Sequence, residues 1–155
     1  MKILRTIIIS IIAILILPAF LSAKMMSVAT LKANVRTGPS GGYDILWTVS
    51  KYTPFEIIGS KGKWQKVKDF MGDIGWMHIS VLSDTPAMIV KTEQANLRED
   101  PGSKEILWVL DKTYPLKFIE KKGNWLHVKD DEISGWLHNT TVWGFTEAEQ
   151  KPARK

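Results

Sequence analysis

Apolar and polar residues alternate at period two in short bursts along this chain, and clusters of glycine, aspartate and lysine interrupt each burst. From residue 24 onwards no stretch of ten or more holds a helical period. Phe55-Glu56-Ile57-Ile58 is followed by Gly59-Ser60-Lys61-Gly62-Lys63, then Trp64-Gln65-Lys66-Val67-Lys68, then residues 69–75, then Trp76-Met77-His78-Ile79. Strand, glycine-rich turn, strand, turn and strand at this spacing predict an antiparallel meander. Within Trp64-Gln65-Lys66-Val67-Lys68, the pleat sets Val67 on one face and Trp64, Lys66 and Lys68 on the other. The valine face is the core face.

The whole pattern then occurs a second time. Ala33-Asn34-Val35-Arg36 returns as Ala95-Asn96-Leu97-Arg98, Ile45-Leu46-Trp47 as Ile106-Leu107-Trp108, and Lys61-Gly62 with Trp64 as Lys122-Gly123 with Trp125. Val67-Lys68-Asp69 returns as Val128-Lys129-Asp130, and Gly75-Trp76-Met77-His78 as Gly135-Trp136-Leu137-His138. The offset falls from 62 to 61 to 60 along the chain, with residues lost only in loops. The unit to explain is therefore a module of about sixty residues present twice. Five short strands in so few residues predict a small barrel that leaves little exposed edge. Large aromatics offset the small core of such a domain.

The chain divides into residues 1–23, a first module over 24–85, a second over 86–143, and a polar, flexible tail over 144–155. Lys2 and Arg5 precede an apolar run from Ile7 to Leu17 that only Ser10 interrupts, and Ser22-Ala23 ends the segment. This is the pattern of a signal peptide cut after Ala23 or of a segment retained as an anchor, and either places the modules outside the cytoplasm, in the periplasm or against the envelope. The absence of cysteine excludes an acylated lipoprotein and any disulfide. Setting aside Lys2 and Arg5 leaves 19 of the 21 basic residues against 16 acidic ones, a net charge of +3. Residues 24–85 hold eight basic and five acidic residues, and residues 86–143 hold eight and nine. Charge this mixed excludes the one-sided basic stripe of a nucleic-acid binder.

Ala33-Asn34-Val35-Arg36-x-Gly38-Pro39-Ser40, an Ile-Leu-x-x-Val strand, Lys-Gly-x-Trp-x-x-Val and a closing Gly-Trp resemble, twice over, the bacterial SH3-like domains called SH3b or SH3 type 3. The resemblance covers residues 26–83 and 88–143. It implies an all-β fold of two tandem five-stranded SH3-like barrels, and a non-catalytic role in binding the bacterial envelope, in some members peptidoglycan peptides. The second module departs from the pattern by carrying Glu99-Asp100 where the first has Thr37-Gly38.

Catalytic chemistry finds no foothold in the residues. There is no cysteine nucleophile, and Ser40, Ser60 and Ser80 stand in or beside turns without a nucleophile elbow. His78 and His138 share one repeat position and lack zinc-site spacing within either module, so neither metal nor cofactor is expected. Asp130-Asp131-Glu132 reads as a solvated turn. Recognition is the better fit. Trp64 and Lys66, with Trp125 and His127 at the matching positions, stand on the wetter face, where an indole can stack on a ligand beside a cation. Tyr43, Tyr52 and Tyr114 lie at loop positions where the family resemblance puts groove residues. Trp76 and Trp136 are expected to close each barrel, Trp47 and Trp108 stay unassigned, and Arg36 and Arg98 are expected to fix the first long loop by hydrogen bonds to backbone. The partner expected is a cell-wall peptide or glycopeptide, or alternatively an envelope protein held by a scaffold or adaptor. A membrane is a partner only if the leader is retained, and oligomeric state is left open.

Overall fold

The computed structural model describes residues 23–146, so the leader (but for Ala23) and the end of the polar tail lie outside the described residues. Fourteen strands fill two sheets of seven. The first module holds β1 (Met25–Val28), β2 (Lys32–Arg36), β3 (Ile45–Ser50), β4 (Pro54–Lys61), β5 (Trp64–Lys68), β6 (Ile74–His78) and β7 (Leu82–Ser83). The second repeats them as β8 (Ala87–Val90), β9 (Gln94–Arg98), β10 (Ile106–Asp111), β11 (Pro115–Lys122), β12 (Trp125–Lys129), β13 (Ser134–His138) and β14 (Val142–Phe145). The strand orders are the same, β3-β2-β6-β5-β4-β1-β7 and β10-β9-β13-β12-β11-β8-β14, and every pairing is antiparallel.

The expected all-β pair of tandem modules is present, with seven strands in each where five were expected. The additional strands, β1 and β7 in the first module and β8 and β14 in the second, have four residues or fewer, and β8 is buried along its whole length, so none shows alternation in the sequence. β14 also takes in Gly144 and Phe145, two residues expected in the polar tail, because the Phe145 ring is buried to 1% exposure.

Each sheet curls around one core. Val28, Val35, Phe55, Val67 and Met77 fill the first, and Val90, Leu97, Leu116, Val128 and Leu137 fill the second, all fully buried. The same clusters take in Leu82 of β7 with Trp47 and Val49 of β3, and Leu110 of β10 with Val142 of β14, so both ends of each sheet order meet in one core, which is what a barrel requires. Matching bulges occur in both modules. Ile58 on β4 and Ile119 on β11 fall where the register shifts, as do Leu46 on β3 and Leu107 on β10, and all four remain exposed. A bulge leaves one residue without a partner and turns it out of the pleat.

Closure rests on one bridging pair per module, Arg36 with Trp76 and Arg98 with Trp136. The glycines preceding these tryptophans permit it. A Cβ at Gly135 would stand 2.7 Å from the Arg98 carbonyl oxygen and 2.8 Å from Leu97 Cγ, and one at Gly75 would overlap Val35. Substitution Gly135→Ala is accordingly expected to lower unfolding stability by about 1–3 kcal/mol, the usual cost of overpacking. Urea unfolding followed by tryptophan fluorescence measures it, and a stability equal to wild type would show that β9 and β13 separate freely.

Candidate ligand-binding site

The cross-strand register decides which side chains share a face. On the first module Trp64 pairs with His78 and Lys66 with Trp76, and directly opposed residues point the same way. Trp64, Lys66, Trp76 and His78 therefore form one outer face, opposite Val67 and Met77 in the core. Trp125, His127, Trp136 and His138 do the same on the second module. Trp76 and Trp136 thus lie beside Trp64 and Trp125, not apart from them as expected. The alternation that sorted β5 sorts β6 equally well, since burying Met77 and Leu137 turns Trp76 and Trp136 outward.

This face is a ladder of rings and cations. Trp64 meets His78 edge-on with centroids 5.3 Å apart, and Trp125 meets His138 at 5.2 Å. Lys66 Nζ lies 6.0 Å from the Trp76 ring centre. In its place His127 stacks on Trp136 at 4.9 Å and 17°, with Lys122 Nζ 5.0 Å from the same ring. So covered, Trp136 is only 6% exposed, whereas Trp64, Trp76 and Trp125 are half-buried. His127 Nε2 is 3.0 Å from Ser134 Oγ, and its buried Nδ1 has no hydrogen-bond partner among the described residues, the nearest carboxylate oxygen being Glu120 Oε1 at 3.6 Å. His78 and His138 have a structural task as well. Each Nδ1 accepts from the amide two residues on, that of Ser80 or Thr140, and caps the single 3-10 turn over Ile79–Val81 or Asn139–Thr141. Among the described residues no group of three potential ligands could hold a metal ion.

The first long loop is tied to the ladder. Arg36 Nη1 donates to the Tyr43 carbonyl at 2.8 Å and Arg98 Nη1 to that of Ser103 at 2.7 Å, the backbone role expected of these arginines. Tyr43 itself is half-exposed, its ring lying over Gly38, where a Cβ would come within 2.6 Å.

Tyr52 and Tyr114 go elsewhere, to a cleft between the modules. This cleft, of about 470 Å³, is walled on the first side by Leu31, Lys51 and Tyr52 and on the second by residues 111–115 and 130–132. A smaller pocket of about 250 Å³ adjoins it, sharing Ser50, Thr113 and Pro115, and is lined by Trp47, Phe55, Phe70 and Met71 of the first module. The two are the same groove of each module, capped by a turn of the other. Tyr52 and Thr113, the capping residues, occupy one repeat position, with φ of 70° and 72°. Their amides bond to Val28 and Val90 at 2.9 and 2.8 Å, which holds a conformation disfavoured for residues with a side chain. Trp47 leans on the first core while its counterpart Trp108 is 56% exposed.

The acidic turn over 130–132 is built, not merely solvated. Asp130 Oδ1 accepts from the amides of Glu132 and Ile133 at 2.8 Å, and its Oδ2 accepts from the Tyr114 hydroxyl at 2.6 Å. Burial, then the bond to Asp130 and its charge, push Tyr114 up to about 12. Burial alone would raise Asp130, but the hydroxyl and the two amides outweigh it and hold the carboxyl below its usual range. For the tyrosine, the unfolded chain loses its proton first as pH rises, so this stability is present below about pH 10 and is lost towards 12. For the aspartate it is present above the ordinary carboxyl pKa and is lost in acid. Substitution Tyr114→Phe is expected to cost about 1 kcal/mol at neutral pH, the pair being open to water, and to flatten both limbs of the stability profile. Urea unfolding from acid to alkaline pH checks this, and an unchanged alkaline limb would contradict it.

Known proteins match this chain along both modules. At 25% identity over 127 residues, the chain is similar to YrvJ of Bacillus subtilis, named as an N-acetylmuramoyl-L-alanine amidase. The match takes in 74% of this chain and spans only 24% of that relative's length. Among solved structures, an NlpC/P60 family protein from Bacillus cereus matches at 14% identity and a TM-score of 0.36, over 78% of this chain and 56% of its own. The CBD of endolysin LysPBC5 matches at 12% identity and a TM-score of 0.34, over 79% of this chain and 93% of its own. The bacterial SH3 domain model matches residues 30–84 and again 91–144, and the chain belongs to that family as a tandem pair.

Proposed function

We propose that this is an exported, non-catalytic protein that binds peptide or glycopeptide of the cell envelope, peptidoglycan above all, through its duplicated modules. The observation carrying the reading is the outer ladder made twice over, with Trp64, Lys66, Trp76 and His78 matched by Trp125, His127, Trp136 and His138. The half-buried indoles Trp64, Trp76 and Trp125, with Lys66 and Lys122 on the same faces, offer stacking surface to sugar rings and peptide planes. The resemblance to a protein named as a wall amidase, over a stretch that is about a quarter of it, supports a wall-directed role. Two weak sites on one chain gain avidity when one polymer engages both.

A scaffold that binds an envelope protein is the second reading, and one feature favours it. Strand β10 lies at the free edge of its sheet with Ile106, Leu107, Trp108 and Val109 all exposed. An apolar edge of this kind suits addition of a partner's strand.

Sedimentation of the purified protein with isolated peptidoglycan tests the leading reading. The wild type is expected to pellet with the polymer, and the double substitution Trp64→Ala with Trp125→Ala to weaken binding at least about tenfold, through lost stacking at both sites. A wild type that stays wholly in the supernatant would sink it, and a stoichiometric protein partner recovered by envelope cross-linking would then favour the scaffold.

A further inference from the structure

The duplicated grooves have diverged where the modules meet. In each module an aspartate builds the same turn, Asp69 Oδ1 accepting from the amides of Met71 and Asp73 and Asp130 Oδ1 from those of Glu132 and Ile133. The next two residues are Phe70-Met71 in the first module and Asp131-Glu132 in the second. One scaffold thus presents an apolar pair to the smaller pocket and an acidic pair to the larger cleft. Asp111 adds a further carboxylate to that cleft. Four carboxylates, Asp111, Asp130, Asp131 and Glu132, line the cleft against two lysines, so a surplus of negative charge remains although Lys51 is ion-paired with Asp131. Lys112 Nζ is paired at 3.0 Å with Glu93, which does not line the cleft, and Lys51 Nζ lies 4.9 Å from the Tyr52 ring centre and 4.0 Å from Asp131. On a chain of net charge +5, this is a locally negative recess with tyrosines on two walls.

We infer that the junction between the modules binds a peptide bearing a primary amine, the ammonium group lying among Asp111, Asp131 and Glu132 and an adjacent apolar side chain entering the pocket of Trp47, Phe70 and Met71. The inference rests on the envelope-peptide reading and adds where such a peptide sits and which group selects it. Charge complementarity picks the occupant. An ammonium donates to carboxylates on several sides, and tyrosine faces favour a cation over a neutral group. A neutral glycan would gain nothing from the surplus of carboxylates, and an anionic polymer would be repelled. The smaller pocket accounts for the apolar neighbour, because the two cavities share Ser50, Thr113 and Pro115 and form one trough. The capping turns at Tyr52 and Thr113 make the site a property of the pair, since each module's groove is walled by the other.

The test titrates the purified protein, by calorimetry and tryptophan fluorescence, with the synthetic peptide N-acetyl-Ala-Leu-Lys-Ala-amide carrying either a free or an acetylated lysine amine. The free amine is expected to bind at least about tenfold more tightly, within the range of a charge-assisted hydrogen bond. The double substitution Asp131→Asn with Glu132→Gln is expected to remove that preference and leave the acetylated peptide unaffected. Both side chains lie on an exposed turn, and a urea melt matching wild type would confirm that the variant is folded. Equal affinity for the two peptides, binding of neither, or displacement of the free-amine peptide by a neutral N-acetylglucosamine tetramer would overturn the proposal. The Trp64→Ala with Trp125→Ala variant separates the two claims. That variant is expected to stop pelleting with wall polymer and to keep the peptide discrimination, whereas a wild type that fails to pellet yet discriminates the two peptides counts against the wall reading and leaves the junction site standing. Pelleting without discrimination does the reverse.

Discussion

The close approach of β6 to β2 at Gly75, and of β13 to β9 at Gly135, is the constraint on which the rest of each module depends. A single bridging pair closes each barrel there, and it forms only because no Cβ stands between the strands. That approach fixes the register of the next hairpin, with Val67 opposite Gly75 and Val128 opposite Gly135. Register in turn sends Met77 and Leu137 inward and aligns the indoles outside, because a slip of one residue would exchange the two faces. The core, the aromatic ladder and the arginine-tied loop therefore follow from one contact.

Duplication preserved that frame and let the surface drift. The ladder keeps its shape, with a cation or an ionisable ring over each inner indole, Lys66 on Trp76 and His127 on Trp136. The junction did not stay symmetric. Two turns of the same hydrogen-bonded design carry Phe70-Met71 and Asp131-Glu132, so the modules contribute unlike halves to one trough. The residues that cap it, Tyr52 and Thr113, sit in the same unusual backbone conformation although their side chains differ.

Much of this was legible in the sequence. Repeat spacing gave the modular division, and alternation in β5 and β12 placed Val67 and Val128 inside, as found. Alternation was silent on β8, which is buried on both sides and shows no period, and on the bulges at Leu46, Ile58, Leu107 and Ile119, where an extra residue breaks the count. Trp76 and Trp136 do stand in the pairs that close each barrel, and the pleat of β6 and β13 also turns their rings to the face of Trp64 and Trp125, a signal that was present in the sequence. The junction trough was beyond reach, since its walls come from distant segments whose mutual placement no local pattern encodes. The bond from Tyr114 to Asp130 belongs to the same class. Repeat position pairs Tyr114 with Thr53, whose hydroxyl instead turns back to the Ser50 carbonyl at 2.7 Å.

Reciprocal capping at the junction also gives the pair a mechanical property that neither module has alone. The trough keeps its shape only while the modules hold their relative angle, and the connection over residues 84–86, short and held by Ser27 Oγ donating to the Thr85 carbonyl at 2.7 Å, limits how far that angle can change. Whatever fills the trough resists rotation of one module against the other, and whatever rotates them weakens its grip by the same free energy.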